Sequence, residues 1–450
     1  MPFVILPTNS ASGGYDITNS LRFNFASSDN LSRTPASSGN RNTWTLSFWF
    51  KKDINAAFRQ IFNTSSTGNS NTTLGQIYFD TSDRIVFYLY TAGAEQANLT
   101  TTQKFRDPSA WYHIVIAYDD TQATASNRIK LYINGSQVTA FDATTYPSQN
   151  FSGYFNMNQP TFWGKDAQSG GSNPLSGYLS EAYFIDAQAL TPSSFGETDS
   201  DTGIWKPKAY TGTYGTNGFY LQFKNSASLG TDSSGNGNNF TVNNLTSIDQ
   251  TTDTPTNNFA TWNPLYAYGN QTLTEGNLRL ATGTSGASVG TIAVNTGKWY
   301  WEIKCVSITA DARTAGISKL VANESLYNTS IYYAQNGEKK INNTSTAYGA
   351  TLANGDIVGI AIDVDARSIT FYKNGSSQGA IDISSVYSSG DYIIPALPQS
   401  GAESQTVDIN FGNPPYSGGS FTDSAGRGNF SYSVPSGYYS LCTANLSLYG

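Results

Sequence analysis

The feature that most constrains this chain is a series of short runs in which apolar and polar residues alternate with a period of two. Runs of this kind occupy 44–50, 84–90, 112–118 and 128–133, and the alternation resumes after residue 270. Successive side chains of a strand point to opposite faces of a sheet, so the pattern predicts strands with one buried face. The dipeptide Asn134-Gly135 is typical of a type I′ hairpin turn. We therefore expect an all-β chain of antiparallel sandwiches.

Composition supports this prediction and narrows the function. The chain has 450 residues, about three times the roughly 150 of one domain, so two domains are expected. Charged residues make up 13% of the chain, against roughly 25% in an ordinary domain, so solubility depends on hydroxyl and amide side chains, which suit sugars as ligands. A net charge of −7 without a basic run argues against nucleic-acid binding, which needs clustered Lys and Arg.

The beginning of the chain predicts neither export nor insertion into a membrane. Residues 1–6 are apolar but lack a basic flank and end at Pro7, which is too short for a signal peptide or a membrane span. Residues 1–20 are expected to form an N-terminal arm. Cys305 and Cys442 are expected to stay reduced, because a two-cysteine chain without an export signal gives little reason for a disulfide.

The first half of the chain carries three blocks in a specific order, 111–119, 130–135 and 177–185. In order and spacing they resemble the laminin-G/pentraxin-like branch of the concanavalin A-like jelly rolls. The resemblance implies a jelly-roll domain at 21–200.

The same resemblance implies a Ca²⁺ site in a loop near the end of this domain. Its candidate ligands are Asp166, Gln168 and Asn173, since Ca²⁺ prefers carboxylate and amide oxygens. The sequence departs from the family pattern at Lys165 and has few carboxylates here. The alternative is a plain solvated loop.

The second half carries another ordered set of blocks, including 297–303, 355–365 and 368–375. It resembles a SPRY (B30.2-type) β-sandwich, which implies a second domain and C-terminal tail at 269–450. Residues 201–268, rich in Gly, Asn, Asp and Thr, are expected to form an ordered linker that adds one strand to the first sandwich.

The joining of these two module types, together with 257–264 and 435–446, resembles virion proteins of marine tailed bacteriophages. The resemblance covers nearly the whole chain. It implies a fibre, knob or decoration protein, assembled in the host cytoplasm and released by lysis in the virion. Its expected partners are other virion proteins and host cell-surface glycans, and the chain is expected to act as a homo-oligomer or in many copies. The alternative is a purely structural protein whose modules bind only other capsid or tail proteins.

Catalysis is not expected, because the residues that it needs are absent or committed elsewhere. The one histidine, His113, lies in an apolar strand run and is interpreted as structural. A Glu-x-Asp-x-Glu strand that could pair two acids does not occur, and Asp363 and Asp365 flank a predicted turn that they are expected to support. The oxygen-rich run 232–238 is likewise read as a tight turn in preference to a metal site.

Four aromatic residues are candidates for stacking on sugar rings: Trp163, Tyr327, Tyr332 and Tyr333. The alternative for each is packing in the core, because half of every alternating strand points inward.

Overall fold

The structure is a computed structural model that describes residues 14–65, 73–167, 173–266, 269–283, 286–319, 329–342, 344–397 and 404–450. The described residues divide into two compact units, the first within 14–256 and the second within 257–450. Among the described residues no helix is long and apolar enough to cross a membrane.

Among its described residues the first unit contains eighteen strands. They are β1 (Ser20–Phe23), β2 (Asn30–Arg33), β3 (Thr43–Lys52), β4 (Arg59–Ser65), β5 (Thr73–Phe79), β6 (Ile85–Thr91), β7 (Ala94–Thr101), β8 (Trp111–Asp119), β9 (Ile129–Ile133), β10 (Ser136–Gln137), β11 (Phe141–Thr145), β12 (Thr161–Trp163), β13 (Gly177–Asp186), β14 (Gly196–Thr198), β15 (Trp205–Pro207), β16 (Phe219–Leu221), β17 (Thr241–Asn243) and β18 (Gln250–Thr251). Short 3-10 helices occur at Phe25–Ser27, Ala125–Asn127, Pro192–Ser194 and Ser247–Asp249.

These strands form two large antiparallel sheets. The front sheet has the order β10-β9-β8-β3-β13-β1-β18, with β16 also beside β13, and the back sheet has the order β11-β7-β6-β5-β4-β12-β2-β17. Leu46, Phe48 and Phe50 of β3 point into the core between the sheets. Asn134 and Gly135 both have positive φ, 46° and 81°, as a type I′ turn requires, so the predicted hairpin is present.

The segment expected to be a linker belongs largely to the first unit. Strands β16, β17 and β18 pair with β13, β2 and β1 respectively, and Phe219, Leu221 and Phe240 lie in the first core. The first unit consequently extends to residue 256 instead of ending near 200. The physical reason is that these short strands pair with strands distant in the sequence, β17 and β18 with partners about 200 residues earlier, while Phe219, Leu221 and Phe240 are buried in the first core.

The second unit is a separate β-sandwich. It contains β19 (Gln271–Thr274), β20 (Arg279–Thr282), β21 (Ser288–Val289), β22 (Lys298–Ile308), β23 (Arg313–Lys319), β24 (Ser330–Ala334), β25 (Glu338–Ile341), β26 (Thr344–Ala347), β27 (Ile357–Asp363), β28 (Ser368–Lys373), β29 (Ser376–Asp382), β30 (Ile393–Leu397), β31 (Gln405–Asn410), β32 (Tyr439–Ser440) and the helix α1 (Thr443–Tyr449). One sheet has the order β19-β20-β31-β22-β27-β28-β29, with β32 beside β22, and the other has the order β21-β30-β23-β24-β25-β26.

Two buried acids order the C-terminal segment: Glu302 ties it to β22, and Asp423 links two parts of the segment to each other. Glu302 of β22 accepts hydrogen bonds from the backbone N–H groups of Ser431 and Tyr432, at 2.9 and 3.0 Å, and from the Asn410 amide at 3.0 Å. Asp423 accepts bonds from the backbone and hydroxyl of Ser440. Both cysteines are buried free thiols, and burial raises the pKa of Cys305 to about 12.

Candidate functional site

The two outer faces of the first unit differ in what covers them. Segments 14–19 and 190–220 pack over the front sheet and form two further apolar clusters on its outer side. Glu181 of β13 is buried beneath them and accepts hydrogen bonds from the hydroxyls of Tyr15, Tyr183 and Tyr220, at 3.0, 2.6 and 2.6 Å. The outer side of the front sheet is therefore closed to ligands by the protein's own chain.

The outer face of the back sheet presents a register-matched row of polar and aromatic side chains. Each of the eight strands contributes one residue to this row, and each of these residues is paired with the one on the neighbouring strand. From one edge to the other the row is Thr241, Ser32, Phe162, Asn63, Gln76, Tyr88, Asn98 and Thr145. We call this set the polar row. It follows from the alternation of β4 to β7, whose inward residues fill the core.

Two aromatic rings lie on this face near its β11 edge. Tyr88 and Tyr90, both on β6 and both partly exposed, have nearly parallel rings 6.1 Å apart, with an angle of 17° between their planes. On the neighbouring strand, burial raises the pKa of Tyr78 to about 12. Burial, with the nearby charge of Glu95, also raises the pKa of Tyr88. These phenols stay protonated at neutral pH and keep an O–H that can donate to a ligand.

Amide and hydroxyl groups flank the rings. The Asn63 amide donates to the Lys165 carbonyl at 2.8 Å, while the Asn63 Oδ1 atom is buried and has no hydrogen-bond partner in the described part of the chain. The side-chain oxygens of Gln60 and Ser65, on the same strand, are also buried and unpartnered among the described residues. Buried oxygens without partners are uncommon in folded proteins. These three oxygens lie beneath the surface of the face, so the polar groups that a ligand can reach are those of the partly exposed Tyr88, Asn98 and Thr145.

The structure describes two of the three predicted calcium ligands, Asp166 and Asn173. Asp166 is buried, and its Oδ1 atom lies 3.5 Å from the Gln76 amide nitrogen, which donates to it. The Asn173 backbone carbonyl accepts from Gln60 N, and Gln168 lies outside the described residues. In the described part of the chain no three His, Cys, Asp or Glu side chains meet at one point. Ca²⁺ takes six to eight oxygens, and residues 168–172 of this loop lie outside the described residues, so the calcium site stays a prediction.

Three of the four aromatic residues predicted to stack on sugars are enclosed in the protein. Trp163 is 0% exposed and packs inside the first core against Phe48 and Phe62. Tyr332 and Tyr333 are also 0% exposed. Their rings cannot stack on a ligand in this structure, because strand alternation turns Trp163 and Tyr333 inward and Arg313 lies over Tyr332. Tyr327 lies outside the described residues.

The outward aromatic residue of β12 is the one beside Trp163. Phe162 is partly exposed and pairs with Asn63 in the polar row. The sequence offered no signal to choose between these two adjacent rings, because β12 has only three residues. The polar row as a whole could have been found by aligning the strand runs, but its register depends on a bulge in β4.

His113 is a structural residue of the front sheet. Its ring stacks on Trp49 at 4.8 Å and on Trp205 at 6.0 Å. Trp205 Nε1–H donates to His113 Nδ1 at 2.9 Å, so the neutral ring carries its proton on Nε2 and donates it to Ser47 Oγ at 2.9 Å. Burial lowers the pKa of His113 to about 3. The ring donates to Ser47 and so does not act as a base toward that hydroxyl.

Asp363 and Asp365 are held in a turn. Asp363 accepts the Ala366 N–H at 2.9 Å and pairs with Lys298 at 2.9 Å, and Asp365 accepts the Gly297 N–H at 3.2 Å. They support the β27–β28 hairpin, as the sequence indicated.

The run 232–238 is also a turn built on one carboxylate. Asp232 accepts bonds from the backbone N–H groups of Tyr220, Ser234 and Asn238 and from the Ser234 hydroxyl, at 2.8 to 2.9 Å. Four donors from the protein occupy both oxygens, so this carboxylate fixes its own loop.

Comparisons with known proteins support both domain types. Residues 25–194 match the family model Laminin_G_3, described as the concanavalin A-like lectin/glucanases superfamily, and residues 298–414 match the SPRY domain model. No curated protein matches the chain. The first match lies within the first sandwich and the second within the second sandwich, so the all-β prediction of two sandwiches is confirmed.

Similar solved structures include the SPRY domain of human HERC1, at 20% identity over 33% of this chain and 96% of that chain, with a TM-score of 0.28. The native heptameric SAP-like pentraxin of Limulus polyphemus is similar at 18% identity over 40% of this chain and 80% of that chain, with a TM-score of 0.29. These similarities carry no functional argument. Laminin G-like and SPRY domains are typically binding domains without catalytic activity, and no enzymatic family is found.

Proposed function

We propose that this protein is a surface protein of a tailed-bacteriophage virion that attaches the particle to host cell-surface glycans through the outer face of its back sheet. The observation that carries the glycan part is the partly exposed end of the polar row, where the nearly parallel rings of Tyr88 and Tyr90 lie beside Asn98 and Thr145. Sugars present C–H surfaces that pack on aromatic faces and hydroxyls that pair with amide and hydroxyl side chains. This face supplies both kinds of contact on one rigid sheet.

The virion part of the proposal has a different basis. It rests on the resemblance of the paired jelly-roll and SPRY modules, and of 257–264 and 435–446, to marine tailed-phage virion proteins. Other virion proteins are then its partners within the particle. The protein catalyses no reaction in this role, because His113 is committed to the fold and Asp363 and Asp365 to a turn.

Attachment through such a face requires several copies. A shallow face on one sheet binds a single saccharide weakly, and linking several sites raises the effective affinity by about 10²–10⁴-fold. The protein therefore acts as a homo-oligomer or in many copies on one particle.

The test uses full-chain protein, either monomeric or clustered on beads, with host cells. Clustered wild-type protein should bind cells, monomer should bind poorly, and soluble host polysaccharide should compete. Tyr88→Ala should abolish bead binding, because it removes one of the two nearly parallel rings. Thr241→Ala is the matched control: it changes the same row on β17, five strands away, and should bind as wild type does.

The structural alternative gives the opposite result. If clustered protein ignores host cells and binds particles stripped of this protein, its modules recognise virion proteins and the adhesion proposal fails. Electron microscopy with a labelled antibody would establish whether the protein is on the particle at all.

A further inference from the structure

The second unit contains a polar cleft that the proposed attachment face does not use. Its volume is about 390 Å³, and it lies between the turn before β22, the β27–β28 hairpin and the loop 387–390. Its floor is apolar and includes Val364, Tyr387 and Ile393, all buried. Ligand pockets of proteins have volumes of about 300–1,000 Å³, so one or two sugar units fit this space.

The walls of the cleft carry uncommitted polar groups. Asn295, Thr296, Ser388 and Ser389 line it, and their side chains make no hydrogen bond with the described part of the protein. Each can donate and accept hydrogen bonds. Hydroxyl and amide groups over an apolar floor are suited to a ligand that has both hydroxyls and a C–H surface.

One cation stands at this cleft with its donors free. Arg367 is exposed, and its guanidinium makes neither an ion pair nor a hydrogen bond with any described residue. The acids around Arg367 each make a hydrogen bond or an ion pair elsewhere, and hydrogen bonds from Ser384, with a smaller contribution from the charge of Arg367, lower the pKa of Asp382. Asp365 accepts the Gly297 N–H at 3.2 Å, Asp382 accepts the Ser384 N–H at 2.8 Å, and Asp391 pairs with Lys319 at 2.8 Å.

The backbone at Arg367 is unusual for an arginine. Its φ is 51°, in the left-handed region that favours Gly and Asn. An arginine there destabilises the turn relative to glycine, and such local strain tends to occur at functional sites. The hairpin holds this side chain at the cleft despite that cost.

We propose that the cleft binds a carboxylated saccharide unit, such as a uronic acid residue, with Arg367 pairing the carboxylate and the serine, threonine and asparagine side chains pairing the ring hydroxyls. Guanidinium and carboxylate form two parallel N–H···O bonds, which gives both energy and orientation. One free cation suits one carboxylate per sugar unit, whereas an acidic peptide in a protein of net charge −7 would need several. That the ligand is a saccharide rests on the proposed function. The cleft adds a second site, which prefers an anionic sugar, whereas the attachment face offers uncharged side chains.

The experiment measures binding of a glucuronic acid oligosaccharide and of an uncharged glucose oligosaccharide to the full chain by calorimetry. Arg367→Asn keeps a residue that tolerates the left-handed turn and removes the charge. It should weaken uronate binding by about tenfold or more, the size expected for a charge-assisted pair. Lys340→Ala removes one positive charge elsewhere in the same unit and should leave uronate binding unchanged.

A stability measurement separates loss of the site from misfolding. Arg367→Gly should raise the melting temperature of the second unit by about 2 °C or more while weakening uronate binding, because it relieves the backbone strain. Tyr88→Ala should leave uronate binding by the cleft intact, so failure of the attachment face and failure of this cleft are distinguishable. The proposal is overturned if wild type does not bind the uronate, if Arg367→Asn binds it as wild type does, or if an acidic peptide competes better than the uronate.

Discussion

The buried histidine makes the stability of the first unit depend on pH with a defined sign. Burial lowers the pKa of His113 from 6.5 to about 3 in the folded chain. The unfolded chain therefore takes up a proton as pH falls below 6.5, and the folded chain does not until about pH 3. The stability contributed by the neutral ring is complete above pH 6.5 and is lost as pH falls toward 3.

The magnitude follows from the size of this shift. Below pH 6.5 each pH unit removes about 1.4 kcal/mol, so about 2 kcal/mol is lost by pH 5. His113→Gln supplies the comparison, because an amide can accept from Trp205 and donate to Ser47 and does not titrate. Carboxylates elsewhere titrate equally in both proteins, and their contribution cancels in the difference.

Hydrogen exchange of the β3 and β8 amides measures the free energy of unfolding of the first unit by itself. The quantity compared is the value for the wild type minus the value for His113→Gln. The difference should be constant above pH 7 and fall by about 2 kcal/mol between pH 7 and pH 5. Since this is the only histidine in the chain, one imidazole signal in NMR should show no titration between pH 5 and 8. Parallel stability curves for the two proteins, or a midpoint near 6.5, would refute the reasoning.

Three further outcomes are expected. Asp253→Asn removes the negative charge that lies 2.8 Å from the buried ammonium group of Lys51. The unfolding free energy of the first unit should fall by about 3–5 kcal/mol in denaturant titration, because a buried charge is left unpaired. A fall below about 1 kcal/mol would contradict a buried ion pair. Glu302→Gln places an N–H₂ against backbone N–H donors and should speed proteolysis of 415–450, and an unchanged cleavage rate would show that this acid does not hold the segment. The melting temperature of the wild type in calcium should equal its melting temperature in a chelator, and the same should hold for Asp166→Asn. A rise in calcium that the wild type shows and Asp166→Asn lacks would support the predicted calcium site.

The strands and the tight turns of this protein can be predicted from its sequence because they depend on local patterns. Alternation in 44–50 predicts β3, and Asn134-Gly135 predicts the hairpin, since few other residues adopt positive φ at two successive positions. The assignment of 201–256 to the first unit could not be predicted in this way. Strand β18 has two residues and pairs with β1, which precedes it by more than 200 positions, so its place depends on long-range packing.

The sequence predicts the class of ligand that the candidate face binds, but not which residues form that face. A charge-poor chain rich in Tyr, Asn and Thr indicates sugar as a ligand, and the polar row has that composition. Alternation does not state which of its two faces is the core. Trp163 and Phe162 are adjacent, and only the packing of two sheets turns the first inward and the second outward.

The central claim is that the outer face of the back sheet binds host glycans, and an array of host surface polysaccharides tests it most directly. Clustered wild-type protein and clustered Tyr88→Ala would be applied to the same array, with Thr241→Ala as the control. The claim predicts a restricted set of bound saccharides that wild type and Thr241→Ala share and that Tyr88→Ala loses, with its fold intact by circular dichroism. An array on which wild type binds nothing, or on which Tyr88→Ala keeps every signal, would contradict it.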